Sequence, residues 1–320
     1  MSAVLVTGGA GYIGAEVSRL LLEQGNQVVI IDNLSTGDSR RVPDKASFHC
    51  VDISEKDKVA QIFRDNEIES IFHFAAYKQA RESNLQPSGY WNNNVSKFIT
   101  FMEVACESSF NNFILSSSCS VYGNGGVVTT KTPLAPVSVY GRTKQASEEI
   151  ANDFSSGNFN AVSLRYFNVI GASERPFGGD YTSSCLLPSL FRKVHAGEPF
   201  EIIGDDFPTE DGTAVRDYVD VRDLARAHLM ALDLSKDGFG GPLNISTGNP
   251  VSVLQMFDSF RRVSSEVVKP LRTERNHADP SEIWGRPSIE LTDAGWSPKH
   301  ELDESVLSHW KSFQLYHAQK

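Results

Sequence analysis

Cysteine is scarce and scattered in this chain of 320 residues. The four cysteines, Cys50, Cys106, Cys119 and Cys185, form no CxxC pair. This spacing supplies neither the clustered thiolates of a zinc site nor the dense cross-links of a disulfide-stabilised domain. We therefore expect no metal centre, and a reducing compartment, the cytoplasm, is favoured.

Long apolar runs and an excess of positive charge are absent as well. The apolar stretch Ala3–Val6 is too short for a signal sequence or a membrane-spanning helix, and no basic segment precedes it. With 40 acidic and 30 basic residues, the net charge is -10. Such a charge disfavours nonspecific attraction to nucleic acid or to an anionic membrane, and we expect neither partner. An anionic substrate needs a local basic pocket.

The first half of the chain alternates between strand and helix patterns. The apolar run Ala3–Thr7 leads into glycines, a helical pattern over Tyr12–Gln24, and a β-branched run, Gln27–Ile31, that closes on Asp32. Alternating strands and helices indicate an α/β fold with a Rossmann-type doubly wound parallel sheet. Further strands are predicted at Ser47–Val51, Ile71–Ala75, Phe113–Ser117 and Val162–Tyr166.

The spacing Gly8-x-x-Gly11-x-x-Gly14 lies between the first strand and the first helix. It lets the backbone approach a pyrophosphate at a helix N-terminus, where unpaired N–H groups and the helix dipole favour anions. The alternative is a glycine-rich turn without a ligand, but the complete βαβ context argues against it. Asp32 ends the second strand, where a carboxylate accepts hydrogen bonds from an adenosine ribose and repels a 2'-phosphate. We therefore expect NAD rather than NADP.

Tyr140 and Lys144 lie four residues apart in a predicted amphipathic helix, and therefore on one face of it. A free tyrosine has a pKa of about 10, too high for a base at neutral pH, but a nearby ammonium group stabilises the phenolate. This spacing also arises by chance in helices. Its position downstream of a dinucleotide-binding pattern favours a catalytic pair.

Several serines follow the predicted strand that contains Phe113, at Ser116–Ser118 and at Ser120. Ligands of such sheets bind at the carboxyl ends of the strands, so a hydroxyl there is placed to relay a proton. The alternative is that some of these serines satisfy local backbone groups. Ser118 is our candidate for the catalytic hydroxyl.

Eight short segments, spread over nearly the whole chain, carry a family resemblance. They are Thr7–Gly14, Asp32–Leu34, His73–Ala76, Asn93–Val95, Ser116–Gly123, Tyr140–Lys144, Leu164–Asn168 and Pro208–Val219. Together they resemble the extended short-chain dehydrogenase/reductase superfamily, and within it the UDP-glucose (UDP-galactose) 4-epimerases. Several of these segments recur across the superfamily, whereas Pro208–Val219 is similar to the epimerases in particular.

The resemblance implies a tightly bound NAD and inversion of C4 of a UDP-hexose through a 4-keto intermediate. It implies that Tyr140 removes the hydroxyl proton, that Ser118 shares its hydrogen-bond path, and that Lys144 holds the nicotinamide ribose. For Asp52 the alternative is a helix-capping aspartate. The implied cofactor-binding residues are Gly8, Gly11, Tyr12, Ile13, Gly14, Asp32, Asn33, Asp52, Ile53, Phe74, Ala75, Lys78, Asn93, Tyr140, Lys144, Tyr166 and Phe167.

A UDP-sugar is the implied partner. For Arg216 a physical argument stands beside the resemblance, since a planar guanidinium suits a diphosphate. The alternative for Arg216 is an ion pair with Asp217 or Asp220. The substrate-binding residues that matching positions imply are Lys78, Ser118, Tyr140, Asn168, Cys185, Leu186, Arg216 and Asp279.

Four residues, in three places, depart from the epimerase pattern. Ser184 and Cys185 stand where two asparagines are usual before the leucine, and Asn276 stands in place of an arginine, with Arg275 adjacent. Ile283 occupies a position at which bacterial enzymes often have a tyrosine. A smaller residue there resembles members that admit enlarged sugars. The sugar is therefore left open: plain, N-acetylated, uronate or otherwise modified.

The residues beside Ser118 favour one reaction over others. Dehydratases and decarboxylases that resemble this chain carry a glutamate at that place, whereas here the neighbours are Cys119 and Ser120. Elimination needs such an additional acid and base, so an isomerase is favoured. The alternatives are another NAD(P)-dependent nucleotide-sugar oxidoreductase or dehydratase, and a catalytically silent NAD-binding protein.

The strand–helix alternation weakens from about Ala172. We expect residues 1–171 to form an NAD-binding Rossmann domain and residues 172–320 to form a smaller, mixed α/β domain that binds the nucleotide sugar. An apolar segment at 243–246 is expected to return to the main sheet. Members of the family are commonly dimers, so the resemblance implies a homodimer.

Overall fold

The computed structural model describes residues 2–175, 177–275 and 280–318. The strands are β1 Ala3–Thr7, β2 Gln27–Ile31, β3 Ser47–His49, β4 Ile68–His73, β5 Asn112–Ser118, β6 Gly126–Val128, β7 Asn160–Tyr166, β8 Asn168–Ile170, β9 Phe200–Ile203, β10 Val215–Asp220, β11 Gly241–Ile245, β12 Pro250–Ser252, β13 Pro270–Thr273 and β14 Glu282–Gly285. The helices are α1 Tyr12–Glu23, α2 Lys56–Asp65, α3 Ala80–Leu85, α4 Pro87–Trp91, α5 Lys97–Ala105, α6 Val139–Ser155, α7 Leu186–His195, α8 Val221–Lys236, α9 Val253–Ser264, α10 Ile289–Asp293 and α11 Leu302–Ala318. None of these helices is both long and apolar enough to cross a membrane.

The main sheet has seven strands in the order β11-β7-β5-β4-β1-β2-β3. The pairs β3–β2, β2–β1, β1–β4 and β4–β5 are parallel. From β1 the chain moves outward to β3 and then crosses to the other side at β4, so the strand order reverses between β1 and β4. The predicted Rossmann-type sheet is confirmed, and ligands of such sheets bind beyond the carboxyl ends of the strands at this reversal.

The chain divides into two compact units, and neither is continuous in sequence. The first takes in the chain up to Val121, then Ser138–Arg165 and Ala225–Leu243. The second takes in Tyr122–Val137, Tyr166–Leu224 and the chain from Asn244 onward. The outermost strand β11 is therefore reached only late in the sequence.

The core of the first unit lies between the main sheet and its helices. β1 is buried along its whole length, as expected for a strand of a parallel sheet that is covered on both faces. Leu5, Ile71 and Phe113 belong to one apolar cluster with Phe98 and Phe101 of α5. Each such side chain contributes about 1.5–3 kcal/mol when fully buried. This packing fixes the strand ends that precede the candidate site.

The second unit is built around β10. This strand pairs antiparallel with β12 and parallel with β8 and β14, and β14 pairs with β6. β9 and β13 form a separate parallel pair. The core is an aromatic cluster that includes Phe191, Phe257, Phe260, Trp310 and Phe313. The predicted mixed α/β character of this part of the chain is confirmed.

Five predicted elements have different bounds in the structure. β5 spans Asn112–Ser118 rather than Phe113–Ser117, and β7 spans Asn160–Tyr166 rather than Val162–Tyr166. β4 spans Ile68–His73 rather than Ile71–Ala75, because Ile68 already pairs with Ala3 of β1. β3 ends at His49 instead of Val51. α1 ends at Glu23, and Gln24 is its C-cap.

Candidate active site

The glycine turn after β1 brings three stretches of backbone into close contact. Gly8 has a φ of 73°, and a Cβ atom there would lie 2.7 Å from the amide nitrogen of Ala75. A Cβ atom on Gly14 would overlap the carbonyl oxygen of Gly8. Gly11 donates its amide to that same carbonyl at 3.0 Å. Only glycine fits at positions 8 and 14, because the backbone segments of the turn are in direct contact there.

Helix α1 begins directly after this turn, with Tyr12 and Ile13 in its first turn and Gly11 as its N-cap. Among the described residues, no side chain caps this helix through a hydrogen bond. The dipole of the helix favours an anion at this end. The pyrophosphate of NAD fits this cradle.

Asp32 follows β2 and stands beside the glycine turn. Its carboxylate accepts the amide of Ala10 at 3.0 Å and the amide of Leu34 at 2.8 Å, which fix its orientation. Burial raises the pKa of Asp32, and the two amide hydrogen bonds act against that shift. A carboxylate held at this place suits an unphosphorylated ribose, so these residues fit NAD.

Asp52 takes part in an ion pair that the sequence did not predict. Its carboxylate accepts Lys97 Nζ at 2.5 Å, Asn33 Nδ2 at 2.7 Å and the amide of Ser54 at 3.0 Å. Burial raises the pKa of Asp52, but these hydrogen bonds outweigh it and hold the pKa well below its ordinary value. Ile53 is buried in the core of the first unit. Asp52 thus organises the turn before α2, and its contact with the cofactor stays a prediction.

The loop after β4 contains Phe74, Ala75 and Lys78, three of the predicted cofactor contacts. The ring centroid of Phe74 lies 5.0 Å from that of His228. Lys78 is exposed, and its Nζ lies 5.8 Å from the ring centroid of Tyr12. Because Tyr12 opens α1, this contact places the loop next to the glycine turn.

Asn93 lies in a π-helical stretch, Asn92–Ser96. Its neighbour Asn94 is buried and joins two parts of the site: it accepts the amide of Tyr77 at 2.8 Å and donates to Thr143 Oγ1 at 3.1 Å. Asn94 was not among the predicted site residues. The signal that could have found it is a run of asparagines, poor helix formers, inside a helical pattern, because π-bulges are frequent at functional sites.

Tyr140 is the second residue of α6, and side chains from two segments bind the amides of the first turn. Ser138 is the N-cap and accepts one amide at 3.0 Å. Ser83 accepts the amide of Tyr140 at 2.9 Å, and Asn84 accepts the preceding amide at 3.0 Å. These amides have no partner within the helix itself, so the three side chains fix the backbone that carries Tyr140.

Lys144 lies one turn beyond Tyr140, and its Nζ is 6.0 Å from the centre of the Tyr140 ring. Lys144 is 3% exposed, and its Nζ donates to the carbonyl of Ser116 at 2.6 Å. Burial lowers the pKa of Lys144 from 10.5 to about 8, so the ammonium form persists at neutral pH. Such a cation favours the phenolate of Tyr140. The structure brings the predicted pair together.

The serines at the end of β5 have different partners. Ser118 is the last residue of the strand, and its Oγ lies 3.2 Å from Ser120 Oγ and accepts the Ser120 amide at 3.2 Å. Ser117 donates its hydroxyl to Glu148, and Ser116 offers its carbonyl to the neighbouring lysine. Ser118 is therefore at the carboxyl end of the strand that holds Lys144.

In the second unit, two predicted substrate residues lie on neighbouring strands. Asn168 opens β8 and is the register partner of Tyr218 on β10. Arg216, also on β10, donates to the carbonyl of Pro280 at 2.8 Å. Ile283, which departs from the epimerase pattern, is buried on β14 and is the register partner of Arg216. Position 283 is thus next to the predicted diphosphate-binding residue.

The remaining predicted residues of this unit are spread over other elements. Cys185 is exposed as the N-cap of α7, and Leu186 is the first residue of that helix. Tyr166–Phe167, at the end of β7, is buried. Asp279 and Asn276 lie outside the described residues.

The carboxylates considered as partners of Arg216 bind other groups. Asp220 pairs with Arg222, at 2.8 Å between Oδ1 and Nε. Asp217 accepts the amides of Thr247 at 2.9 Å and Gly248 at 3.0 Å. Burial raises the pKa of Asp217 to about 6, against the effect of these amides. Asp217 therefore orders a loop of the second unit.

A model of the NAD dependent epimerase/dehydratase family matches residues 4–246. The chain belongs to that family. A curated UDP-glucose 4-epimerase of Lactobacillus helveticus is 36% identical over 316 residues, which are 96% of this chain and 96% of the relative. The UDP-arabinose 4-epimerase 1 of Arabidopsis thaliana is 34% identical over 337 residues, 98% of this chain and 80% of its own length.

The fold is shared with solved members of the family. The crystal structure of UDP-glucose-4-epimerase from Stenotrophomonas maltophila, with bound NAD and formylated UDP-arabinopyranose, has a TM-score of 0.93 and 31% identity, with 100% of both chains covered. Membership of the family confirms the predicted epimerase resemblance, the dependence on NAD and the Rossmann-type fold.

We expect turnover to fall as the pH rises above about 8, because Lys144 then loses the charge that favours the Tyr140 phenolate. The measurement is kcat as a function of pH. Lys144→Arg is the control, since a guanidinium stays protonated throughout this range and its residual turnover should lack the alkaline decline. The same alkaline decline in the wild type and in Lys144→Arg would show that the titration of another group causes it.

Proposed function

We propose that this protein is an NAD-dependent UDP-sugar 4-epimerase that inverts C4 through a 4-keto intermediate. The observation that carries the proposal is the Tyr140–Lys144 pair, in which a buried ammonium group lies 6.0 Å from the centre of the phenol ring. The glycine turn and Asp32 support NAD as the cofactor of this pair. The names of the relatives, UDP-glucose and UDP-arabinose 4-epimerases, support a UDP-sugar substrate.

The chemistry that bound NAD supplies is reversible hydride transfer at C4. Tyr140 takes the proton of the C4 hydroxyl as the sugar is oxidised, and it returns a proton when the opposite face of the keto-sugar is reduced. Lys144 keeps the phenol acidic enough for this exchange and holds the ribose of the cofactor. Ser118 lies on the hydrogen-bond path between the phenol and the sugar.

Epimerisation requires fewer side chains than the related eliminations. Cys119 and Ser120 follow Ser118, so no carboxylate stands at the position that dehydratases use. The keto-sugar has to turn while its nucleotide stays bound. We assign the binding of the nucleotide to Arg216, Asn168 and Asp279.

The remaining assignments complete the proposal. We assign cofactor contacts to the other predicted residues of the first 171 positions and nucleotide-sugar contacts to Cys185 and Leu186. The buried Ile283, next to Arg216 in register, supports a sugar pocket with room for a substituent, and it leaves the sugar itself to experiment. Residues 172–320 are the proposed sugar-binding domain, apart from 243–246 in the main sheet.

We also propose that the protein forms a homodimer and that it acts in the cytoplasm. The exposed apolar side chains of Leu85 and Trp91, on α3 and α4 of the first unit, support association of two copies through this unit. The free state of all four cysteines supports a reducing compartment.

The test is a panel of UDP-sugars incubated with purified protein and no added cofactor, followed by chromatography. The panel contains UDP-glucose, UDP-galactose, their N-acetylamino forms, their uronates and UDP-arabinose. We expect at least one sugar to interconvert with its C4 epimer. If every sugar came back unchanged, or if a dehydrated keto-sugar were released, the proposal would be wrong. Stoichiometric consumption of NAD(P)H in a parallel incubation to which it is added would also overturn it.

A further inference from the structure

A buried ion pair lies one helical turn below the catalytic lysine, within the first unit. Glu148 of α6 and Arg165 of β7 are each 5% exposed. Arg165 binds both carboxylate oxygens, with Nε at 2.9 Å from Oε1 and Nη2 at 2.6 Å from Oε2. A forked arrangement of this kind is the strongest form of such a pair.

The pair is connected to the catalytic residues through α6 and β5. Tyr140, Lys144 and Glu148 follow at intervals of four residues and lie on one buried face of the helix. Lys144 donates to the carbonyl of Ser116, and Ser117 donates its hydroxyl to Glu148. Two side chains one turn apart on the helix thus bind two successive residues, Ser116 and Ser117, of the strand that ends at the site.

Glu148 is the carboxylate next to Lys144 on α6, yet Lys144 binds a backbone carbonyl instead. The charge of Glu148 raises the pKa of Lys144 against the effect of burial, and without a partner this buried carboxylate would act on the ammonium group more strongly. Arg165 compensates that carboxylate from the neighbouring strand. His73 of β4 also interacts electrostatically with Lys144; burial lowers the pKa of His73 to about 3, so His73 stays neutral.

Stability alone does not account for a pair in this position. Removing two charges from water is costly, and well-packed apolar residues often serve the fold as well. We infer that Glu148 and Arg165 are positioning residues: they fix Lys144 against β5 and cancel each other's charge, so that the ammonium group acts on Tyr140. This inference rests on the proposed role of Lys144.

The first test is titration of Lys144 by NMR with lysine labelled at Cε, the signal being assigned with Lys144→Met. Glu148→Gln leaves Arg165 uncompensated, and we expect it to lower the pKa of Lys144 by roughly one unit from about 8. Arg165→Met leaves Glu148 uncompensated and should raise that pKa by a similar amount. Arg165→Lys is the matched control, since it keeps the charge but loses the fork, and should leave the titration within a few tenths of a unit.

A second readout is turnover at pH 8, where the midpoint of Lys144 lies. Glu148→Gln should lower kcat several-fold there and leave KM for the nucleotide sugar unchanged. Shifts of the Lys144 titration in the same direction for both single variants, or no shift in either, would overturn the inference. A pair with a merely structural role would give one of these two results, together with lower melting temperatures of both single variants.

Either single variant leaves a buried charge and can fail to fold. The double variant Glu148→Gln/Arg165→Met removes both charges at once and covers that case. We expect its Lys144 to titrate within about half a unit of wild type, and a larger displacement would contradict mutual cancellation. The titrations need no substrate. If the protein converted none of the UDP-sugars, the proposed function would be refuted, whereas this inference would still be decided by the titrations.

Discussion

Tyr140→Phe should lower epimerase turnover by roughly a hundred- to ten-thousand-fold, the usual effect of removing a catalytic proton-transfer group. The substitution deletes only the phenolic oxygen. The amide of residue 140 keeps its hydrogen bond to Ser83 at 2.9 Å, and the ring keeps its place in the cluster with Tyr90 and Val139. The fold and the cofactor cradle are therefore left intact. The measurements are kcat, KM and the NAD content of the purified protein, and the NAD content should not change.

Tyr77→Phe is the matched control, because Tyr77 packs against the same cluster and its side chain is partly buried. Its turnover should stay within a few-fold of wild type. If Tyr140→Phe lost less than about tenfold, Tyr140 would not be the base. A silent NAD-binding protein has no turnover to lose, so the same experiment also separates that alternative from an enzyme.

The parts of the site that could be predicted are encoded over short distances in the sequence. The glycine turn can be recognised from the spacing of its glycines. Asp32 can be recognised from its position at the end of a β-branched run. Tyr140 and Lys144 form a pair that helical periodicity alone puts on one face. In each case the backbone geometry of a single strand, turn or helix is enough to place the side chains.

The parts that could not be predicted depend on contacts between distant segments. Ser83 precedes Tyr140 by 57 residues, yet its hydroxyl binds the Tyr140 amide. Asn94 reaches Thr143 across 49 residues. These contacts follow from how α3 and the π-helical stretch pack against α6, and no periodicity in the sequence carries that information.

The discontinuous units have the same origin. The segment Tyr122–Val137 leaves the first unit directly after the serine-rich strand end, and Ser138 returns to it as the cap of α6. A segment that crosses between units in this way changes neither the amino-acid composition nor the hydrophobic periodicity along the sequence. The sequence therefore indicated two domains and gave no sign of this crossing.

Gly14→Ala should abolish the retention of NAD through purification. A Cβ atom at position 14 would overlap the carbonyl oxygen of Gly8, and that oxygen already accepts the amide of Gly11 at 3.0 Å. Gly8 is itself fixed by the hydrogen bond from its amide to the carbonyl of Ile31 at 2.8 Å. Because the atoms that the new Cβ would meet all belong to the backbone, the clash has to be relieved by moving α1 away from the turn. That movement removes the amides that face the pyrophosphate.

Gly89→Ala is the control for the general effect of adding a methyl group to a helix, since a Cβ atom at position 89 of α4 meets nothing within 4 Å. It should keep its full NAD content and unfold at or slightly above the wild-type temperature. Gly14→Ala should lose about 1–3 kcal/mol of unfolding free energy through overpacking, in addition to its NAD. NAD released by acid and circular dichroism at several temperatures measure the two effects separately. A Gly14→Ala protein that retained NAD at the wild-type level would show that the turn is structural and that the dinucleotide lies elsewhere.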